Sequence, residues 1–157
     1  GWNCHQFHPK SEFYADFGDY DVTLDLPERY RGHVGATGHR VEEEVADGRV
    51  RERYVQEGVH DFAWTADPRY RVYEESFDPD RDVPPELRRE LVDLLGLTPE
   101  EARLRPVTLR LLLQPQHAPQ ARAHFDAVKI GLAELGLRLG AYPYPTLTLV
   151  DPALGAG

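Results

Sequence analysis

Apolar and polar side chains alternate strictly along residues 19–26. Tyr20, Val22, Leu24 and Leu26 stand against Asp19, Asp21, Thr23 and Asp25. That period of two predicts a strand with one face on a core and the other in water, stopped by Pro27. The three aspartates then belong to the solvated face and form no metal site. The same period recurs over residues 59–66, where His60, Phe62 and Trp64 are expected to share a face. It recurs again over 106–113, where Val107, Leu109, Leu111 and Leu113 predict a core strand. Residues 70–77 read as a further strand with mixed faces. Asp47-Gly48, between 39–45 and 49–57, is a hairpin signal. Both arms are heavily charged and are expected at a sheet edge, with Arg49, Arg51 and Arg53 opposite Glu42, Glu43 and Glu44.

A helical period takes over at residues 85–95, where Leu87, Leu91, Leu94 and Leu95 form one stripe and Gly96 caps the end. Thr98-Pro99-Glu100-Glu101 has the form of a capping box and predicts a short second helix. The longest helix is expected over about 119–139, with Ala121, Phe125, Val128, Leu132, Leu135 and Leu139 as its buried stripe. Gly140 closes it. Pro143 and Pro145 then force extended backbone, residues 146–150 form a covered strand, and Asp151-Pro152 ends it. Residues 114–117 are the expected domain boundary. The fold class that follows is mainly β, antiparallel to about residue 116 with a helical insert, and then a helix and a strand.

Composition narrows the reading. At 157 residues with 41% hydrophobic and 10% aromatic content, the chain is long enough for one globular domain, or for one and part of another. No apolar run approaches the roughly 20 residues of a membrane helix. A formal net charge of -9 argues against nucleic acid as a partner. Cys4 is the only cysteine, so no disulfide forms within the chain. There is no methionine, and the sequence opens on Gly1-Trp2. Both ends are therefore expected to be cuts in a longer protein, and the sequence assigns no compartment.

Several residue sets imitate chemistry without completing it. Cys4, His5 and His8 are ligand types, but residues three apart on a strand face opposite ways, so packing is expected of them. His117 and His124 fall on one helix face and lack a third ligand. Asp78, Asp80 and Asp82 open like a calcium loop, yet Val83 and Arg89 occupy the places of its glycine and glutamate. Residues 32–38, GHVGATG, fit neither a dinucleotide nor a P-loop fingerprint. His60-Asp61 has no serine near it, and neither Ser11 nor Ser76 sits in Gly-x-Ser-x-Gly.

Two stretches carry a family likeness: HQFHPKSEFYADFGDYDVTLDLP with GATG and VHDFAWTADP, and LGLTPEEARLRPVTLRLLLQP running on to YPYPTLTLVDPALGAG. Together they resemble a bacterial branch of the alanyl-aminopeptidase type of zinc metallopeptidases, the gluzincins. The resemblance implies that residues 1–116 are the C-terminal part of an N-terminal β-domain of sandwich or saddle form. It implies that 117–157 open a thermolysin-like α+β catalytic domain. It implies a peptide substrate held near Asp151-Pro152 and by Gly155, Ala156 and Gly157, where the family continues into Gly-x-Met-Glu-Asn or Gly-Gly-Met-Glu-Tyr. The family's zinc motif, His-Glu-x-x-His, is not in this chain, which contains no His-Glu pair. No catalytic residue or metal ligand is therefore assigned here, and zinc is expected only in the longer protein. The expected function is a piece of a zinc aminopeptidase, inactive alone. The alternatives are a non-catalytic β-sandwich binding or interaction module, with Trp2, Tyr20, Phe62 and Trp64 on a binding face, and a relative that keeps the scaffold without the catalysis.

Overall fold

The computed structural model describes residues 16–151. Cys4, His5, His8, Gly155, Ala156 and Gly157 lie outside the described residues. The chain is mainly β, with antiparallel sheets and a few helices. Strands β1 (Gly18–Pro27), β3 (His39–Ala46) and β4 (Arg49–Val59) form one antiparallel sheet in the order β1-β4-β3. The short strands β2 (Val34–Ala36) and β5 (Trp64–Ala66) pair antiparallel with each other. Strands β6 (Arg71–Phe77), β7 (Val107–Leu113) and β8 (Thr146–Val150) form a third sheet in the order β6-β7-β8. There β6 and β7 run antiparallel, and β7 and β8 run parallel. The helices are α1 (Pro79–Asp82) and α2 (Pro85–Leu95), between β6 and β7, and α3 (Ala121–Leu139), which connects β7 to β8. Among the described residues no helix is long and apolar enough to cross a membrane.

The alternation in 19–26 produces β1 with the expected faces, and Leu24 is its most buried side chain. Asp47 and Gly48 both take positive φ, +52° and +71°, as a tight hairpin turn between right-twisted strands requires. One arm of that hairpin departs from expectation. Only β3 lies at an edge, whereas β4 is the central strand of its sheet. Its charges explain how. Arg53 bonds Asp21 on β1 and Glu42 on β3, and Arg51 reaches Asp25 on β1 and Glu44 on β3. The arginines bridge both neighbours on the solvent side, while Val50, Glu52 and Tyr54 turn inward and are buried.

Residues 59–66 are not one strand. β4 runs to Val59, the chain breaks over residues 60–63, and β5 begins at Trp64 with β2 as a new partner. Two local features break the run. Gly58 has φ +60°, and Asp61 Oδ1 accepts the Phe62 amide at 2.7 Å, a short-range bond that competes with a ladder. The expected common face of His60, Phe62 and Trp64 is lost with it.

The capping box forms as read: Thr98 N donates to Glu101 Oε2 at 2.8 Å, and Glu101 N donates to Thr98 Oγ1 at 3.3 Å. No helix follows, only a turn, because Pro106 steers Arg105 away from helical backbone before a second turn can nucleate. Asp78 accepts the Asp80 amide and caps α1, so the aspartate run begins a helical turn. In α3 the buried side is Phe125, Leu132, Ala133, Gly136 and Leu137, and the expected Leu135 and Leu139 are 57% and 82% exposed. The apolar stripe is wider than one heptad face, so position alone does not choose its buried edge.

Two apolar clusters organise the packing. Leu24, Val34, Ala36 and Tyr54 centre the first, which draws on residues 22–66. Phe77, Leu91, Leu109, Leu111 and Leu137 centre the second, which draws on residues 73–149. Burying each such leucine contributes about 1.5–3 kcal/mol. The clusters part between Ala66 and Arg71, and β7 and β8, on either side of the expected boundary at 116/117, share one sheet. Gly35 brings the two parts together: a β-carbon there would sit 3.2 Å from Leu112 and 3.3 Å from Thr148.

Candidate functional site: an open cleft along the last strand

β8 lies at the end of its sheet. Thr108 N bonds Pro145 O, and Asp151 N bonds Leu112 O. Pro145 and Asp151 thus face β7, and by the two-residue period Leu147 and Leu149 do too. Thr146, Thr148 and Val150 consequently turn their backbone groups outward. The Thr146 carbonyl accepts the Tyr142 hydroxyl at 3.3 Å. For Thr148 and Val150 no backbone partner exists among the described residues.

Beside this edge runs a cleft of about 470 Å³. β8 forms one wall. β2 and β5 form the opposite wall, with Trp64 half-exposed at 52%. Tyr142 and Tyr144, on either side of Pro143, meet edge to face with ring centroids 5.5 Å apart. The Tyr144 hydroxyl donates to Gly58 O at 2.8 Å and so ties this corner to the end of β4. Burial, with Tyr144 beside it, raises the Tyr142 hydroxyl above its ordinary pKa. His60 and Asp61 also line the cleft. They make no acid–base pair: the His60 ring packs on Phe17 with centroids 5.7 Å apart, and Asp61 holds the Phe62 amide.

Asp151 anchors the exit of β8. Its Oδ2 accepts the Gln114 amide at 2.9 Å and lies 2.7 Å from His117 Nδ1. Partial burial pushes the Asp151 carboxyl up, but the bonds from His117 and Gln114, with the nearby charges of His117 and His124, bring it below the ordinary 3.8. A carboxylate lowered by folding stabilises fully above that ordinary value, and its contribution fades as pH falls through the lower folded one. Asp151→Asn is expected to cost about 1 kcal/mol at neutral pH. The gap to wild type should close as the pH drops below the carboxylate range. Urea midpoints measured across that range check both parts; a gap independent of pH would remove the ionised carboxylate from the account.

Of the residues singled out from sequence, the structure brings His117 to Asp151. Among the described residues no group of three His, Cys, Asp or Glu is arranged to hold a metal ion. The family-implied residues Gly155, Ala156 and Gly157 lie outside the described residues. Trp64, expected on the binding face of the alternative reading, lines the cleft, whereas the Tyr142–Tyr144 pair was missed as a site from sequence. The YPYP repeat was a signal for the latter, since alternate prolines fix the intervening tyrosines on extended backbone. No protein-family model matches this sequence, and no curated protein matches it.

Proposed function

We propose that this chain belongs to a zinc-dependent metallopeptidase, an aminopeptidase that removes N-terminal residues from peptides, and that residues beyond Gly157 supply its zinc motif. The motif resemblance is the origin of the reading. The observation that carries it furthest is β8: an uncharged strand at a sheet end, the outward backbone groups of Thr148 and Val150 without a partner among the described residues, followed in sequence by Gly155, Ala156 and Gly157. Such an edge is where a loop that binds an extended substrate is best held. In this proposal the β-rich part up to Ala66 is the end of a sandwich- or saddle-like domain. The sheet from Arg71 on, rather than from residue 117, opens the thermolysin-like part. The zinc would acidify a bound water and polarise the scissile carbonyl; its ligands and general base are no residues of this chain.

The test is to express the chain together with the coding sequence that follows Gly157 and to assay aminoacyl anilides. Zinc-dependent, chelator-sensitive hydrolysis is expected, and none from residues 1–157 alone. An extended protein that lacks His-Glu-x-x-His, or that keeps it and cleaves no aminoacyl or peptide substrate, refutes the reading. The second reading, a non-catalytic binding module, draws on one observation, the half-exposed Trp64 in an open cleft. A stop codon directly after Gly157 would favour it.

A further inference from the structure

The edges of the three sheets are unequal. The outer strand β3 carries Glu42, Glu43 and Glu44 and a register shift between Arg40 and Glu42. At the other side of that sheet, β1 carries Asp19, Asp21 and Asp25 and a shift between Gly18 and Tyr20. β6 carries Arg71, Glu74 and Glu75. β2 and β5 are three residues each. Charge, bulges and shortness are the devices that keep an edge from pairing with another chain. β8, Thr-Leu-Thr-Leu-Val, has none of them, and it faces an open cleft instead of solvent at large.

The charge around the cleft is equally uneven. On the neighbouring sheet Asp21, Asp25, Glu42 and Glu44 are each ion-paired with arginine. Asp61, the carboxylate in the lining of the cleft, is exposed and pairs with no lysine or arginine among the described residues. From these observations we infer that the β8 edge binds an extended basic peptide, which adds as a further strand through Thr148 and Val150. Five residues of β8 span roughly 17 Å, so the seat takes five or six peptide residues. Thr146 and Thr148 point toward β2, as the Thr146 Oγ1 bond to Gly38 O shows. The peptide side chains of matching parity therefore fall toward Trp64 on β5. A basic side chain of the peptide meets the Asp61 carboxylate in the cleft lining. This inference does not rest on zinc or on hydrolysis, and it concerns residues distinct from Gly155, Ala156 and Gly157.

The test uses the 157-residue chain without metal and an acetylated, amidated Lys-Thr-Val-Thr-Val-Lys peptide carrying a fluorophore. Saturable binding by anisotropy is expected, with about tenfold slower amide exchange at Thr148 and Val150 in the complex. N-methylation of alternate peptide residues should weaken binding about tenfold in one register and leave it unchanged in the other, because only one edge of the peptide meets β8. Replacing both lysines with glutamate should weaken it about threefold or more. Thr148→Pro, which removes an outward amide and spares the bonds to β7, should abolish binding. No saturable binding, or equal indifference to both methylation registers, overturns the inference. So does slow exchange at Thr148 and Val150 in the chain alone. If that protection survives dilution, another segment of the chain already covers the edge; if it is lost on dilution, a second copy does.

Discussion

Arg40→Ala is expected to destabilise the protein by about 3 kcal/mol, among the largest effects of any single polar substitution in it. The reason lies in Glu52, which is 1% exposed on the inward face of the central strand β4. Its Oε1 accepts Arg40 at 2.9 Å, and its Oε2 accepts the Tyr54 hydroxyl at 2.6 Å. Arg40 also bonds Glu43 at 2.6 Å, and Arg31 joins Glu43 at the same distance. Burial together with the Glu52 bond pushes the Tyr54 hydroxyl well above its ordinary pKa. Tyr54 is thus the neutral donor of this network, and Arg40 is the charge that balances Glu52. Removing Arg40 leaves a buried carboxylate with one neutral partner, and that desolvated charge is the cost. Arg40→Ala with Glu52→Leu should recover much of the loss, since no buried charge is then left unpaired. Urea unfolding of the two single variants and the double closes the cycle. A single-variant loss below about 1 kcal/mol, or no recovery in the double, would show that Arg40 does not hold Glu52.

Gly38→Ala should cost a similar amount, about 3 kcal/mol or more, for a steric reason. Gly38 has φ +84°, and a β-carbon there would run into the Val55 carbonyl oxygen and sit 2.9 Å from Gln56 Cβ. The obstacle is backbone, which cannot step aside as a side-chain tip can. Gly48 is the internal control. It has φ +71°, but nothing lies within 4 Å of its missing β-carbon. Gly48→Ala therefore carries only the left-handed strain, roughly 1–2 kcal/mol. The difference between the two midpoints isolates the crowding. Equal losses would mean that the chain relaxes at Gly38 and that the close approach of residues 38 and 55 is not required.

Most elements were legible because their signals are local. The alternation in β1, the Asp47-Gly48 turn, the caps of α2, and the prolines around β8 each act within a few residues, and each produced the element read from it. Much of what failed depends on partners far away in sequence. β4 looked like an edge because its charge was counted without knowing that β1 would supply Asp21 and Asp25 on its other side. Glu52 was indistinguishable from Glu42, Glu43 and Glu44 until the fold turned it inward. The break at residues 60–63 is local, in Gly58 and Asp61, but the alternation of apolar residues masked it, and only the partner that β5 then takes, β2, is distant. The cleft is legible least of all. Trp64, Tyr142 and the β8 edge come from three separate segments, and no spacing along the chain announces that they meet.

The pairing of β8 with β7 has a further consequence, one of timing. Among the described residues this is the one parallel strand pair, and it must wait for the whole of α3 to form and cross over. Until then β7, Val-Thr-Leu-Arg-Leu-Leu-Leu, is itself an exposed edge, and it carries five apolar side chains, four of them leucines. A slow, non-local docking step thus shields a segment apt to associate with its like. Refolding yield should be limited by protein concentration during that interval, and the docking of an otherwise modest five-residue strand marks its end.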